Sequence, residues 1–319
     1  MKPASGRLAG AILLMLGCGQ VLAAAGLATR DLNPILQSVY LPTLVPMGDG
    51  DGWRLDHSLY ITNTLQHESR GGEELLIDAE NYRYDFALRN RSGNWITQLS
   101  VPLVANSGGE LDAAIDEWHD FFGLPEGNRG RYPRDQLDFN YQRDGTTVFS
   151  QSDSSSGLGD MSLAFGYQRP GETAYFFGIE LPTGSADDFS GNEAVDYALW
   201  ITREIPLDTQ ITAYGMLGIS FPGDGGNLDG LLADNIWVAQ AGMEYRFFDD
   251  LAATVQFDLH SQSVDDSKLD TFGNSVQIQI GLGFLEVFER HRLDLFFAED
   301  ILIGSAPDIS FGLRLARQF

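Results

Sequence analysis

Five histidines, two lysines and a single cysteine are all that 319 residues hold of those types. One cysteine cannot close a disulfide within the chain, so a disulfide-stapled scaffold is excluded. Charged residues make up 20%, against about 25% in an average soluble domain. Bases are scarcer than acids: 20 Lys and Arg face 45 Asp and Glu, for a formal net charge of −25. Binding to nucleic acid needs a basic face, so that class of partner is excluded. Beyond the first 25 residues no apolar run approaches the roughly 20 residues of a membrane-crossing helix. Hydrophobic residues nevertheless reach 43% and glycine numbers 36. That mixture excludes collagen-like and low-complexity chains.

The first residues read as an address. Lys2 and Arg7 precede an apolar run from Leu8 to Leu16, and Ala23, Ala24 and Ala25 follow. A basic start, a short apolar core and small residues describe a cleaved secretory signal peptide over residues 1–25. Cys18 raises the alternative of a lipoprotein signal, but Met15-Leu16-Gly17 before it fits that pattern poorly. Residues 26–52 hold Pro34, Pro42 and Pro46 among Leu and Val, then Gly48-Asp49-Gly50-Asp51-Gly52. Proline argues against a central strand here. The segment reads as a periplasmic tail or as a plug that enters the rest of the protein.

From residue 53 to 319 the pattern has a period of two. Ile211, Ala213, Gly215, Leu217, Ile219 and Phe221 alternate with Thr212, Tyr214, Met216, Gly218 and Ser220. Val276, Ile278, Ile280, Leu282 and Phe284 alternate with Gln277, Gln279, Gly281 and Gly283. Such alternation marks strands with one apolar face. These runs are about twice the usual length of roughly 5–6 residues. They match the roughly 9–11 residues of a membrane-crossing strand. The expected fold is therefore all-β: a transmembrane antiparallel up-and-down barrel of about twelve strands.

Connection lengths sharpen this expectation. Segments 66–74, 106–156, 184–192, 222–235, 264–273 and 304–307 are usually longer than the turns between them. Short turns on one side and long loops on the other are the habit of outer-membrane barrels. Ile309, Phe311, Leu313, Leu315 and the terminal Phe319 share one face of the last strand. That ending resembles the signal read by the outer-membrane assembly machinery, with Arg317 as a departure. Trp53, Trp95, Tyr167, Tyr175 and Phe247 fall near the short-turn ends, where an aromatic girdle belongs.

Residues 106–156 exceed any ordinary connection. Ser107 and Glu110 have capping-box spacing. Leu111, Ile115, Trp118 and Phe122 then recur at helical spacing until Gly123 and Pro125. A short helix is expected, packed against the barrel, with Trp118, His119, Asp120 and Phe122 as candidates for constricting the mouth. Leu137–Tyr141 and Thr146–Ser150 around Arg143-Asp144-Gly145 read as a hairpin within the loop.

If the apolar residues face lipid, Arg83, Asp85, Glu180, Asp196, Glu244, Arg246, Asp258, His260, Asp294 and Arg314 face the lumen. They would either orient a permeant solute or pair to pack the interior. The excess of acid predicts a preference for cations or neutral solutes. Nothing suggests a cofactor. Asp224, Asp229 and Asp234 in the acidic loops are candidates for Ca²⁺, although they lack the spacing of a defined calcium loop. His57-Ser58 and His260-Ser261 are adjacent and so point to opposite faces of a strand, which is wrong for a Ser–His pair. His119 reads as a capping or surface residue, and no catalytic constellation is legible.

Three segments together resemble a known family. They are Leu32-Asn33-Pro34, the run Glu117-Trp118-His119-Asp120-Phe121-Phe122-Gly123-Leu124-Pro125, and Gly157-Leu158-Gly159-Asp160. They resemble the uncharacterised proteobacterial outer-membrane family catalogued as domain of unknown function 3187 (DUF3187). The resemblance spans nearly all of the mature chain, implies the outer membrane of a Gram-negative bacterium and carries over no catalytic residue. The expected function is a narrow channel or transporter for small or apolar solutes, with outer-membrane lipid and a small solute as partners. The alternatives are a lipid-modifying outer-membrane enzyme and a structural or surface-interaction barrel with a packed lumen.

Overall fold

A computed structural model describes residues 26–45, 50–113, 116–117, 131–288, 291–302, 304, 306–307 and 309–319. The expected signal peptide, Cys18, and Trp118, His119, Asp120 and Phe122 lie outside the described residues.

Twelve strands close one antiparallel ring. In chain order they begin with β1 (Gly52–Arg70), β2 (Glu73–Ser92) and β3 (Trp95–Ser107). A small hairpin follows, β4 (Asp138–Arg143) and β5 (Thr146–Gln151). The next ring strand is broken into β6 (Ser155–Leu158) and β7 (Met161–Tyr167). Then come β8 (Ala174–Leu181), β9 (Asp196–Pro206), β10 (Ile211–Phe221), β11 (Ile236–Phe248) and β12 (Leu251–His260). The last are β13 (Ser275–Val287), β14 (His291–Asp300) and β15 (Ile309–Gln318). β1 pairs with β2 on one side and β15 on the other, from Arg54↔Gln318 to Asn63↔Ile309, which closes the circle and leaves no edge.

Burial is inverted relative to a soluble sheet. On β13, Gln277 and Gln279 are 5% and 1% exposed, whereas Ile280 and Leu282 are 40% and 47% exposed. Leu295 on β14, Leu313 on β15 and Phe257 on β12 also point outward. A wall that turns Ile, Leu and Phe outward and amides inward suits a hydrocarbon surround and a polar lumen. Trp53, Trp95, Tyr175 and Phe247 are exposed at the short-turn ends, as an interfacial girdle would be.

Three details differ from the sequence expectation. Segment 66–74 is no loop: β1 and β2 run on and meet in a two-residue turn at Gly71 and Gly72, with φ of +64° and +89°. Apolar alternation fades there, at Glu68, Arg70, Glu73 and Glu74, because these strand ends rise above the apolar belt. Positive φ at both turn residues is cheap only for glycine and matches the strand twist. The expected fourth strand is interrupted at Gly159-Asp160, where Gly159 N–H still donates to the Pro102 carbonyl at 2.8 Å. Ser107 ends β3, and the amides of Glu110 and Leu111 donate to the Glu80 carboxylate at 3.1 and 2.9 Å. Helical backbone is described only at Asp112, Ala113, Asp116 and Glu117.

The β4–β5 hairpin forms where the sequence places it. It turns at Asp144-Gly145 and pairs with the upper part of β2, from Glu73↔Arg143 to Asp78↔Asp138. Its Phe139, Tyr141 and Phe149 pack with Leu75, Ile77, Phe189, Leu228 and Phe272. Four connections thus build an apolar core over the long-loop mouth. Tyr141 Oη donates to Glu73 at 2.5 Å. Burial, with that hydrogen bond, pushes the Tyr141 phenol above its ordinary range.

Candidate functional site

Residues 26–45 lie inside the ring, almost entirely buried. They rise along the lumen, turn near a 3₁₀ turn at Leu36–Ser38, and descend. The ascending limb is held by β12 and β13. Leu27 N–H donates to Gln256 at 2.9 Å, Thr29 Oγ1 to Asp258 at 2.7 Å, and Asp31 meets His260 Nε2 at 2.9 Å. At the bend, Asn33 Nδ2 donates to Gln66 on β1 at 3.1 Å, and Gln37 reaches Asn81 on β2. The descending limb uses β9, β10 and β11. Tyr40 N–H donates to Asp196 at 3.0 Å, Ser220 Oγ to the Tyr40 carbonyl, and Leu44 N–H to Gln240 at 2.5 Å.

Arg30 locks the bend from within. Its Nη2 donates to the carbonyls of Leu36, Gln37 and Val39 at 3.2, 2.7 and 2.9 Å. The segment cannot form a sheet because of its prolines, so its backbone groups need partners from elsewhere. The inward amides Gln240, Gln256 and Gln279 and the carboxylates Asp196 and Asp258 supply them. Apolar contacts fill the remainder: Leu27 and Leu32 pack on Tyr60 and Phe296, and Tyr40, Leu44 and Val45 pack on Phe176, Trp200 and Met216.

A residual cavity of about 90 Å³ runs between the inner segment and the wall made by β1, β2, β3, β7, β8 and β9. It has room for several waters. Four guanidiniums, of Arg30, Arg83, Arg89 and Arg314, face four carboxylates, of Asp56, Asp85, Asp160 and Glu180. The cavity is therefore charge-balanced, and the acid excess of the chain resides elsewhere.

The ten lumen candidates separate into three groups. Asp196, Asp258 and His260 hold the inner segment. Arg83, Asp85, Glu180 and Arg314 line the cavity, with Arg83 Nε on Asp85 at 2.9 Å. Glu244 and Asp294 join Arg314 in a buried ion cluster toward the short-turn end, and Arg246 stands half-buried near that rim. The centre of that cluster is Arg292, which bonds Glu244 at 2.5 Å and Asp294 at 2.8 Å. The sequence reading omitted Arg292, Arg54, Asp56 and Asp160. Their signal was present: Arg292 and Asp294, like Arg54 and Asp56, share a strand face at spacing two. Asp224, Asp229 and Asp234 are exposed, and among the described residues no group of three or more His, Cys, Asp or Glu is placed to hold a metal ion.

A family model described as "Protein of unknown function (DUF3187)" matches residues 25–319. The chain belongs to that family. No curated protein matches this DUF3187 chain. Among solved structures it is similar to the COG4313 outer membrane channel from Pseudomonas putida F1. The two are 13% identical, over 86% of this chain and 100% of that one, with a TM-score of 0.54. The likeness is one of fold, and it covers the whole of that channel. The Ralstonia pickettii toluene transporter TbuX is 10% identical over 93% of this chain and 97% of its own, but its TM-score of 0.44 is too low to bear on the DUF3187 chain.

Proposed function

We propose that the protein is an outer-membrane channel for small solutes, kept narrow by its own N-terminal segment acting as a plug. One observation carries this reading: a polar, hydrogen-bonding lumen inside an apolar-faced closed barrel, in which the filler is a separate segment rather than the wall side chains. The contacts that hold the segment include hydrogen bonds and ion pairs to six or more strands, beside the packing of Leu27 and Leu32 on Tyr60 and Phe296. Hydrogen bonds of this kind contribute about 1 kcal/mol each and can be exchanged with water one at a time. A wall evolved only to be solid would fill itself, as small barrels do. The signal-like pattern of residues 1–25 and the aromatic girdle support passage to the outer membrane, and the apolar belt supports a lipid surround. The long loop over 106–156 belongs to the same reading as a cover of the outer mouth.

Proteoliposome swelling tests the proposal. Refolded protein should admit uncharged solutes of the size of glycerol and exclude disaccharides. Equal exclusion of both, with the barrel shown folded by its resistance to unfolding in cold detergent, would leave the second reading. That reading is a structural barrel with a packed lumen, and the specific observation in its favour is the small cavity of about 90 Å³.

A further inference from the structure

The inner segment starts from a tightly packed point within the lumen. Residue 26 leaves no room for a β-carbon, which would stand 2.2 Å from the Leu44 side chain and 2.9 Å from the Tyr214 ring. The next amide, of Leu27, donates to Gln256 at 2.9 Å. The Gly26 nitrogen has no hydrogen-bond acceptor among the described residues.

Two acceptors beside it are also idle. Tyr214 Oη and Thr254 Oγ1 are buried without a hydrogen-bond partner, on residues 5% and 1% exposed. Tyr214 lays its ring against Gly26 and its hydroxyl over Gly242, where a β-carbon would meet that oxygen at 2.4 Å. Gly242 pairs with Gln256, and two residues nearer the short turn Glu244 pairs with Thr254. The countercharge of a cation is present too. Asp258 accepts from Thr29, Gln256 and Gln279, all uncharged, and no ion pair reaches it among the described residues. Asp258 and Glu244 both act on Tyr214 through space. Buried hydroxyls left without partners are costly. A peptide nitrogen at residue 26 offers one hydrogen and no charge. An ammonium offers three hydrogens and a charge, and its hydrogen bonds are the stronger kind.

Three alanines, Ala23, Ala24 and Ala25, stand immediately before this point. We propose that Gly26 is the amino terminus of the exported protein and that its α-ammonium group is seated on Tyr214 Oη and Thr254 Oγ1, facing Asp258 and Glu244. The terminus arises when an export peptidase hydrolyses the Ala25–Gly26 bond. Water supplies a hydroxyl to the Ala25 carbonyl carbon and a hydrogen to the Gly26 nitrogen. The carboxylic proton then passes to the amine, leaving a carboxylate on Ala25 and an ammonium on Gly26. Processing thus does more than release the chain: it makes the group that fastens the lower end of the inner segment. The inference rests on the reading of residues 26–45 as a plug.

The composition makes the test clean. A chain beginning at Gly26 has two amines, the terminus and Lys268, because the other lysine is Lys2. Lys268 lies in the connection between β12 and β13 and serves as the internal control. Protein extracted from outer membranes is weighed by intact mass spectrometry. It is then treated with an amine-acylating ester near about pH 7.5, folded in detergent and unfolded in urea. A free α-amine titrates near about 8 and a lysine near about 10.4, so the terminus should react first in urea. In the folded protein the order should reverse, with the terminus slowed by about tenfold or more. Tyr214→Phe and Thr254→Val each delete one hydroxyl. Each should speed acylation of the folded terminus by about tenfold, one charge-assisted hydrogen bond's worth, and leave Lys268 unchanged. A mass that starts at another residue, or a terminus equally reactive folded and unfolded, would overturn the proposal. So would a folded variant whose terminus reacts no faster than the wild type's. The wild-type comparison needs no variant, so misfolding of either one still leaves a decision. Conductance does not enter this readout, so the plug reading can fail while the terminus stays protected, and the reverse.

Discussion

Arg292 shows how much one side chain can carry in this lumen. It is fully buried and neutralises two carboxylates, Glu244 and Asp294. Replacing it with alanine takes the ion-pair partner from buried Glu244 and leaves Asp294 to Arg314 alone. Arg292→Ala should therefore cost about 3–5 kcal/mol, the usual penalty for breaking a buried pair from one side. Urea unfolding of the refolded protein in detergent measures it. The exposed Arg70–Asp270 pair makes the contrast, at 3.9 Å with both side chains about two-thirds exposed. Arg70→Ala should change stability by less than about 1 kcal/mol. Equal effects of the two substitutions would mean that the lower lumen is wet. The difference was legible in part: Arg292 and Asp294 fall on one face by spacing alone. That Glu244 completes the cluster was not legible, because β11 and β14 meet only across the lumen.

At the scale of elements, outward faces were the readable part. Apolar residues at every second position mark the belt whatever the neighbours are, so most ring strands could be placed within a few residues. The upper halves of β1 and β2 escaped, since above the belt nothing demands an apolar outward face. The inner segment was legible as something other than a strand, through Pro34 and Pro42. Its position was not, because its partners are distant: Leu27 bonds Gln256, 229 positions along the chain. Two predictions belong here. In the β4–β5 hairpin, Phe139 is fully buried beneath the loops. Phe139→Ala should open the hairpin to trypsin at Arg134 or Arg143, while the barrel keeps its cold-detergent mobility on gels. Simultaneous loss of both would mean that the cover and the ring unfold as one unit. In the lumen, Gln240 and Gln256 bond both limbs of the inner segment, through Leu27, Thr29 and Leu44. The double variant Gln240→Ala with Gln256→Ala should fold and conduct better than the wild type, since each deleted amide frees about one hydrogen bond's worth of restraint on the segment.

For the whole molecule, three layers stack along one axis. An apolar core of loop residues stands at the long-loop end, a hydrogen-bonded segment fills the middle, and an arginine-rich cluster occupies the short-turn end. The ring itself is rigid, because every strand is paired on both sides. Any opening must come from the segment or the cover rather than the wall hydrogen bonds. The central claim is that residues 26–45, not the wall, make the lumen narrow. Planar-bilayer conductance tests it most directly, with wild type beside a variant in which residues 27–45 are replaced by a Gly-Ser chain of equal length. The account predicts small conductance steps for the wild type and steps several-fold larger for the variant. Equal steps in the two proteins, or no conductance from a folded variant, would contradict it.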